Sequence, residues 1–267
     1  MFKKVLIANR GEIAVRVIRA CKEWGINTVA VHSDVDADSM HVRLADESVC
    51  IGSHQPQNSY LNIPSIMSAV DLTGAEAIHP GYGFLSENAK FSDIVKKHGI
   101  KFIGPSAEII SKMGDKIEAK RIAKKYGLPI IEGSEGGVSS VAEAKSLCKQ
   151  IGYPILIKAV HGGGGKGIRI VSNEDELVEA FNRARSEAQS SFGRADVYLE
   201  KNIQKPKHIE VQIAGDAHGS VIHLFERDCS IQRRHQKVVE IAPALGISED
   251  TRSQVLKYAV DIAKSVN

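Results

Sequence analysis

Short apolar runs alternating with helix-patterned stretches fill the first hundred residues, and this alternation restricts the fold more than anything else in the chain. Residues 5–8, Val-Leu-Ile-Ala, offer no polar face, as a strand covered on both sides requires. Asn9-Arg10-Gly11-Glu12 then turns the chain into a helix whose apolar positions Ile13, Val17, Ile18 and Cys21 recur at helical spacing. Further strands are expected at 28–32, 48–51, 77–78 and 101–103, with helices near 63–70 and 91–98. Strands and helices in this order imply a parallel sheet. The first turn has one glycine where a dinucleotide fingerprint needs three, so a nicotinamide dehydrogenase is not expected.

The stretch His79-Pro80-Gly81-Tyr82-Gly83-Phe84-Leu85-Ser86-Glu87-Asn88 follows a predicted strand, at the sheet end where open α/β folds place ligands. Tyr82 offers an aromatic surface and Glu87 a carboxylate, while Ser86 is a candidate cap for the helix beginning near Asn88. Gly104-Pro105-Ser106 closes this unit, and Met113-Gly114-Asp115-Lys116 opens a helix over 117–126. Asp115 is placed to cap it, which leaves Lys116 in a first turn whose dipole opposes a cation. Such a lysine suits a nearby anion, or simply reaches solvent.

Residues 133–140 read as a Gly/Ser-rich linker. Beyond it come a helix at 141–151, strands at 155–158 and 168–171, a helix at 175–188 and a strand at 197–200, a small α/β unit resembling a lid. Its tip, residues 158–167, carries four consecutive glycines between Lys158 and Lys166. Glycine lets backbone N–H groups approach a phosphate closely, although the same run also suits a plain flexible loop. The pattern then turns to β, with strands at 208–214 and 221–226. Residues 226–237 are densely polar and either form a solvated face or, read as one strand, set Gln232, Arg234 and Gln236 opposite Arg233, His235 and Lys237. A helix at 250–266 ends the chain.

A balance of 35 basic against 32 acidic residues leaves +3, so no global field draws the chain to nucleic acid or membrane. The four cysteines, Cys21, Cys50, Cys148 and Cys229, are widely spaced without a Cys-x-x-Cys pair, which argues against a zinc ribbon or disulfide framework and suits a reducing, cytoplasmic setting. No apolar run reaches membrane-spanning length.

In this order, Ile7 to Ala14, His79 to Asn88, Met113-Gly114-Asp115-Lys116, Ile157-Lys158-Ala159, Gly162 to Gly167 and Glu226 to Glu240 resemble the biotin carboxylases, which are ATP-grasp enzymes. The resemblance covers essentially the whole chain. It implies an α/β fold in which a Rossmann-like N-terminal domain (1–113) precedes a partial ATP-grasp domain (114–267) with a small α/β lid at about 131–203. Within the family the chain looks most like the biotin carboxylase subunit of bacterial acetyl-CoA carboxylase, which serves fatty acid synthesis. Pyruvate and propionyl-CoA carboxylases share the blocks.

The reaction implied by this resemblance is carboxylation of carrier-bound biotin by bicarbonate, through carboxyphosphate made from ATP. By the same resemblance Lys116 and Lys158 contact ATP phosphates, and Gly164 and Gly165 donate backbone N–H groups. Glu200, Lys201 and Ile203 match the adenine hinge, Ile168 lies against the base, and His208 and Gln232 lie near ribose and adenine. His235 matches a phosphate-side residue, Gln236 and Lys237 the bicarbonate site, and Tyr82 and Glu87 the surroundings of biotin and bicarbonate. The family's Mg2+ or Mn2+ ligands are expected beyond residue 267, so this stretch alone is not expected to turn over. Implied partners are a biotin carboxyl carrier protein, carboxyltransferase subunits and a second copy in a full-length homodimer. His161 stands where the family usually has a small residue. Another ATP-grasp ligase and a non-catalytic nucleotide-binding module are the rival readings.

Overall fold

Val5, Leu6, Ile7 and Ala8 are almost completely buried, the consequence of a strand with apolar side chains on both faces. In the computed structural model, which describes residues 1–160, 168–233 and 236–266, they lie in and beside the central strand of the first of two units, Met1–Gly114 and Asp115–Asn267. The first unit runs β1 (Lys4–Ile7), α1 (Gly11–Glu23), β2 (Asn27–Ser33), α2 (Met40–Leu44), β3 (Glu47–Gly52), α3 (Ile63–Thr73), β4 (Ala77–His79), α4 (Ala89–Lys97), β5 (Lys101–Phe102) and α5 (Ala107–Gly114). Its five strands are all parallel, in the order β3-β2-β1-β4-β5.

Both faces of this sheet are covered. Ile7 packs with Ala14, Val17 and Ile18 of α1, while Leu6 and Ala8 join Ile66 and Val70 of α3 and Phe91 and Val95 of α4. The strand order reverses between β1 and β4, whose following helices α1 and α4 pack on opposite faces, and the carboxyl ends at such a reversal are where open α/β sheets take ligands. Asn88, not Ser86, caps α4: its side-chain oxygen accepts from the Phe91 N–H at 2.9 Å. The helices α2 and α5 go beyond the sequence expectation. Each is short, and a run of five or eight residues carries too few turns to print a period.

His41 is buried beneath β2, with Nε2 3.3 Å from the Val31 carbonyl and no hydrogen-bond partner for Nδ1 among the described residues. Burial pushes its pKa below the usual imidazole value, only partly offset by the Val31 bond, and burial does the same to His79. An unfolded chain therefore takes up protons near pH 6.5 while the folded one does not, so stability is full above that pH and falls as pH drops through it. Urea unfolding followed by circular dichroism at pH 7.5 and pH 5.5 should show this loss, and His41→Leu should reduce it. An unchanged pH dependence in the variant would remove His41 from the explanation.

The second unit contains α6 (Lys116–Lys125), α7 (Val141–Ile151), β6 (Ile155–Ala159), β7 (Ile168–Val171), α8 (Glu174–Phe192), β8 (Val197–Lys201), β9 (Ile209–Gly215), β10 (Val221–Arg233), β11 (Gln236–Ile241) and α9 (Glu249–Ser265). The strands β7-β6-β8 form an antiparallel sheet, and α7 and α8 bury Ala144, Cys148, Leu177 and Phe181 against it. A second antiparallel sheet, β11-β10-β9, is backed by α9.

Two sequence expectations change here. The stretch read as a linker runs along the free edge of β8, with the Ser134 N–H donating to Leu199 O at 2.8 Å and the Val138 N–H to Val197 O at 2.7 Å. Gly133 marks a close approach: a Cβ there would sit 2.4 Å from the Leu199 carbonyl oxygen. Residues 226–237 are not one strand either. Arg233 pairs with Gln236 and Gln232 with Lys237 across an antiparallel ladder, so Gln232 shares a face with Lys237 rather than with Gln236.

Candidate anion-binding site

Asp115 ends the connection into α6 by accepting from the N–H groups of Ile117 and Glu118 at 2.9 and 3.0 Å. That cap fixes Lys116 and Lys120, one turn apart, on one face of the helix. Strand pairing brings Leu156 of β6 opposite Glu200 of β8 and sets Lys158 opposite Tyr198. The Glu200 carboxylate, almost fully buried, then receives Lys158 on Oε1 and Lys120 on Oε2, the latter at 2.7 Å. The Lys120 ammonium also stands 5.2 Å from the centre of the Tyr198 ring.

The electrostatics of this group are unbalanced. Burial by itself would push the Glu200 carboxyl up, but hydrogen bonds from Lys120 and Lys158 outweigh it and hold it below the ordinary glutamate range. Burial lowers the pKa of Lys116, Lys158 lowers it further, and Glu200 opposes both. Two ammonium groups thus bind one carboxylate, and a third, that of Lys116 at the amino end of α6, lies close enough to feel both Lys158 and Glu200. Lysines held this close together near a helix amino end suit an anionic ligand.

The hinge residues beyond β8 divide their tasks. Lys201 spends its ammonium on the carbonyls of Tyr153 and Gly152, at 2.9 and 3.0 Å, closing the end of α7. Its backbone N–H is also engaged, donating to the Glu132 carbonyl at 2.8 Å, which leaves the Lys201 carbonyl as its acceptor for a ligand. Ile203 is half exposed, and Ile168 opens β7 opposite Lys158. Gly164, Gly165, His161 and His235 lie outside the described residues. A cleft of about 580 Å³ in this unit is lined by Lys120 but not by Lys116, Lys158 or Glu200.

A second polar group lies on the β9-β10-β11 sheet. Glu210 accepts from His208 Nε2 at 2.9 Å, from Arg227 at 3.3 Å and from Lys237. His208 Nδ1 faces the Gln232 amide at 3.0 Å, and Gln232 also donates to Cys229 O. Burial alone would raise the Glu210 carboxyl, yet Lys237 and His208 hold it low. Gln236 is exposed at the start of β11. Arg227 and Glu210 were not anticipated from sequence, because they meet only through the register of β9 on β10.

In the first unit the loop after β4 is held rigidly. The Asn9 side chain donates to the carbonyls of Pro80 and Tyr82, both at 2.8 Å, and Gly81 at φ +63° leaves no room for a Cβ, which would lie 2.7 Å from Asn9 Nδ2. Phe84 adopts φ 40° and stacks on Tyr60 at 4.9 Å, and the Tyr60 hydroxyl donates to Asp36 at 2.6 Å. Tyr82 and Glu87 are exposed on this frame, with the Tyr82 hydroxyl donating to Glu12.

A parallel α/β unit followed by antiparallel sheets carrying paired lysines defines an ATP-binding class of enzyme. Residues 115–267 match the family described as carbamoyl-phosphate synthase L chain, ATP binding domain, and residues 1–110 match biotin carboxylase, N-terminal domain. The biotin carboxylase of Haemophilus influenzae is 55% identical over 256 residues, covering 96% of this chain and 57% of that protein. The propionyl-CoA carboxylase alpha chain of Sus scrofa is 53% identical over the whole chain and 36% of its own length. The biotin carboxylase domain dimer of the Hydrogenobacter thermophilus 2-oxoglutarate carboxylase, solved with MgADP, ADP and bicarbonate, superposes with a TM-score of 0.92 at 53% identity, covering all of this chain and 58% of that one. The chain belongs to the biotin carboxylase family and spans 57% of the Haemophilus influenzae protein and 58% of the solved Hydrogenobacter thermophilus chain.

Proposed function

We propose that this chain is the nucleotide-binding part of a biotin carboxylase, which uses ATP and bicarbonate to carboxylate biotin borne on a carrier protein. The observation that carries the reading is the pairing of Lys158 and Lys120 on the buried Glu200 with Lys116 close by, a cluster of cations that suits a polyphosphate. In this reading Lys116 and Lys158 bind the phosphates and the Gly164 and Gly165 backbone covers them. Glu200, Ile203 and the Lys201 backbone receive the adenine against Ile168, with His208 and Gln232 beside the nucleoside. His235, Gln236 and Lys237 serve the phosphate and bicarbonate side, and the rigid loop presents Tyr82 and Glu87 to biotin.

What these residues do chemically is bind and orient. Bringing bicarbonate and the terminal phosphate together in one site replaces a collision in water with an intramolecular approach, and lysines fixed in advance stabilise charge that develops on the phosphoryl oxygens. Among the described residues no group of three or more His, Cys, Asp or Glu is arranged to hold a metal ion. Among the described residues, too, no helix is long and apolar enough to cross a membrane. We assign to the longer enzyme a homodimeric state, a carboxyltransferase partner and a cytoplasmic place in acetyl-CoA carboxylation.

Titration calorimetry of this chain with ATP tests the reading. Saturable binding, competed by ADP and not by NAD, is expected. No heat at about 1 mM ATP, where a site of that Kd is half filled, would overturn it.

A further inference from the structure

We infer that Lys120 is a positioning residue that keeps Glu200 ionised while Lys158 moves from the carboxylate to the nucleotide phosphate. The inference rests on the reading of this site as a polyphosphate site. Its observation is the division of one buried carboxylate between two lysines from different elements, Oε1 to Lys158 of β6 and Oε2 to Lys120 of α6.

A phosphate arriving at Lys116 and Lys158 offers more negative charge than a single carboxylate, so Lys158 turns towards it. Glu200, with only 4% of its side chain exposed, then loses one of its two partners in a place that water does not replace. Among the described residues the groups facing it are Lys116 and Lys120 from α6, Lys158 from β6 and the Tyr198 ring from its own strand. Of these, Lys116 and Lys158 are engaged by phosphate and Tyr198 carries no charge at neutral pH, its hydroxyl being pushed up by burial and then by Glu200. Lys120 is the cation that stays. The face of Tyr198 holds it in place, so the carboxylate remains charged and its Oε1 is released as an acceptor for an N–H donor of the ligand.

Without Lys120, phosphate binding would strand a buried carboxylate. The chain would then avoid that cost by taking up a proton. The test is calorimetry of the 267-residue chain with ATP, at pH 6 and pH 8 and in buffers of different ionisation enthalpy, for the unaltered protein, Lys120→Met and Lys120→Arg. The unaltered chain should bind without net proton uptake at Glu200. Lys120→Met should bind on the order of tenfold to a hundredfold more weakly at pH 8, recover affinity at pH 6 and take up a proton on binding. Lys120→Arg should restore proton-free binding, and adding Glu200→Gln to Lys120→Met should abolish the uptake.

A purely structural role for Lys120 would weaken binding equally at both pH values with no proton uptake. That result would overturn the inference, as would affinity unchanged in Lys120→Met. Failure of the unaltered chain to bind ATP would overturn the nucleotide reading and this inference with it. Thermal melts of each variant identify one that does not fold, and in that case Lys120→Gln, which keeps a polar contact of similar length, gives the same comparison.

Discussion

Lys158→Met is expected to weaken ATP binding by about 2–5 kcal/mol, a loss of thirtyfold or more, the range for removing one member of a close, desolvated charge pair. Two opposing effects set the size. Removing Lys158 deletes a direct phosphate contact, but it also spares the ligand from having to separate Lys158 from Glu200. The first effect wins because a polyphosphate carries several charges and the Glu200 carboxylate carries one. Lys120 still holds Glu200 in the variant, so the carboxylate does not replace the missing cation with a repulsive, unpaired charge. Lys145→Met is the matching control. Lys145 has 42% of its side chain exposed and stands 3.6 Å from Glu174, and a surface change of that kind alters energies by within about 0.5 kcal/mol. Calorimetric affinities that fall equally in both variants would show that the effect is general charge rather than the Lys158 position.

Phe181→Ala is expected to cost the second unit about 3–5 kcal/mol, the range for deleting a fully buried aromatic side chain. Phe181 is 1% exposed and lies within the cluster formed by α7, α8 and the β7-β6-β8 sheet, next to Leu177, Ile155 and Leu199. A typical domain has only about 5–15 kcal/mol to lose, so this single change removes a large share. The consequence reaches the site, because α8 covers the sheet whose strands β6 and β8 carry Lys158 and Glu200. Urea unfolding by circular dichroism should show the loss, and Phe181→Leu, which keeps most of the volume, should recover much of it. A loss below about 1 kcal/mol in Phe181→Ala would mean that the cavity collapses and that the cluster does not depend on this ring.

Much of the fold was readable from local pattern. The apolar run at 5–8, with no polar face, became a strand covered by α1 on one side and by α3 and α4 on the other. Asp115 capped its helix as its residue type and position suggested, and the strands on either side of the glycine tip paired with Lys158 opposite Ile168. Where the reading failed, the cause was pairing at a distance. Gly133 and Val138 look like linker because their composition is flexible, yet β8 takes them as an edge. Gln232 and Lys237 look like opposite faces of one strand because alternation assumes that the strand continues.

The sequence by itself determined the class of fold and the family, because hydrophobic period, turn chemistry and the specific residue blocks are properties of neighbours along the chain. Only the tertiary structure decided which charges meet. Glu200 and Lys120 are separated by 80 residues, and neither the helix bearing one nor the strand bearing the other has a local signal that names its partner. Ion pairing depends on distances of a few ångströms between side chains brought together by packing. The lysine pair expected from sequence therefore became, in three dimensions, a cluster in which Lys158 and Lys120 share one buried carboxylate with Lys116 close by.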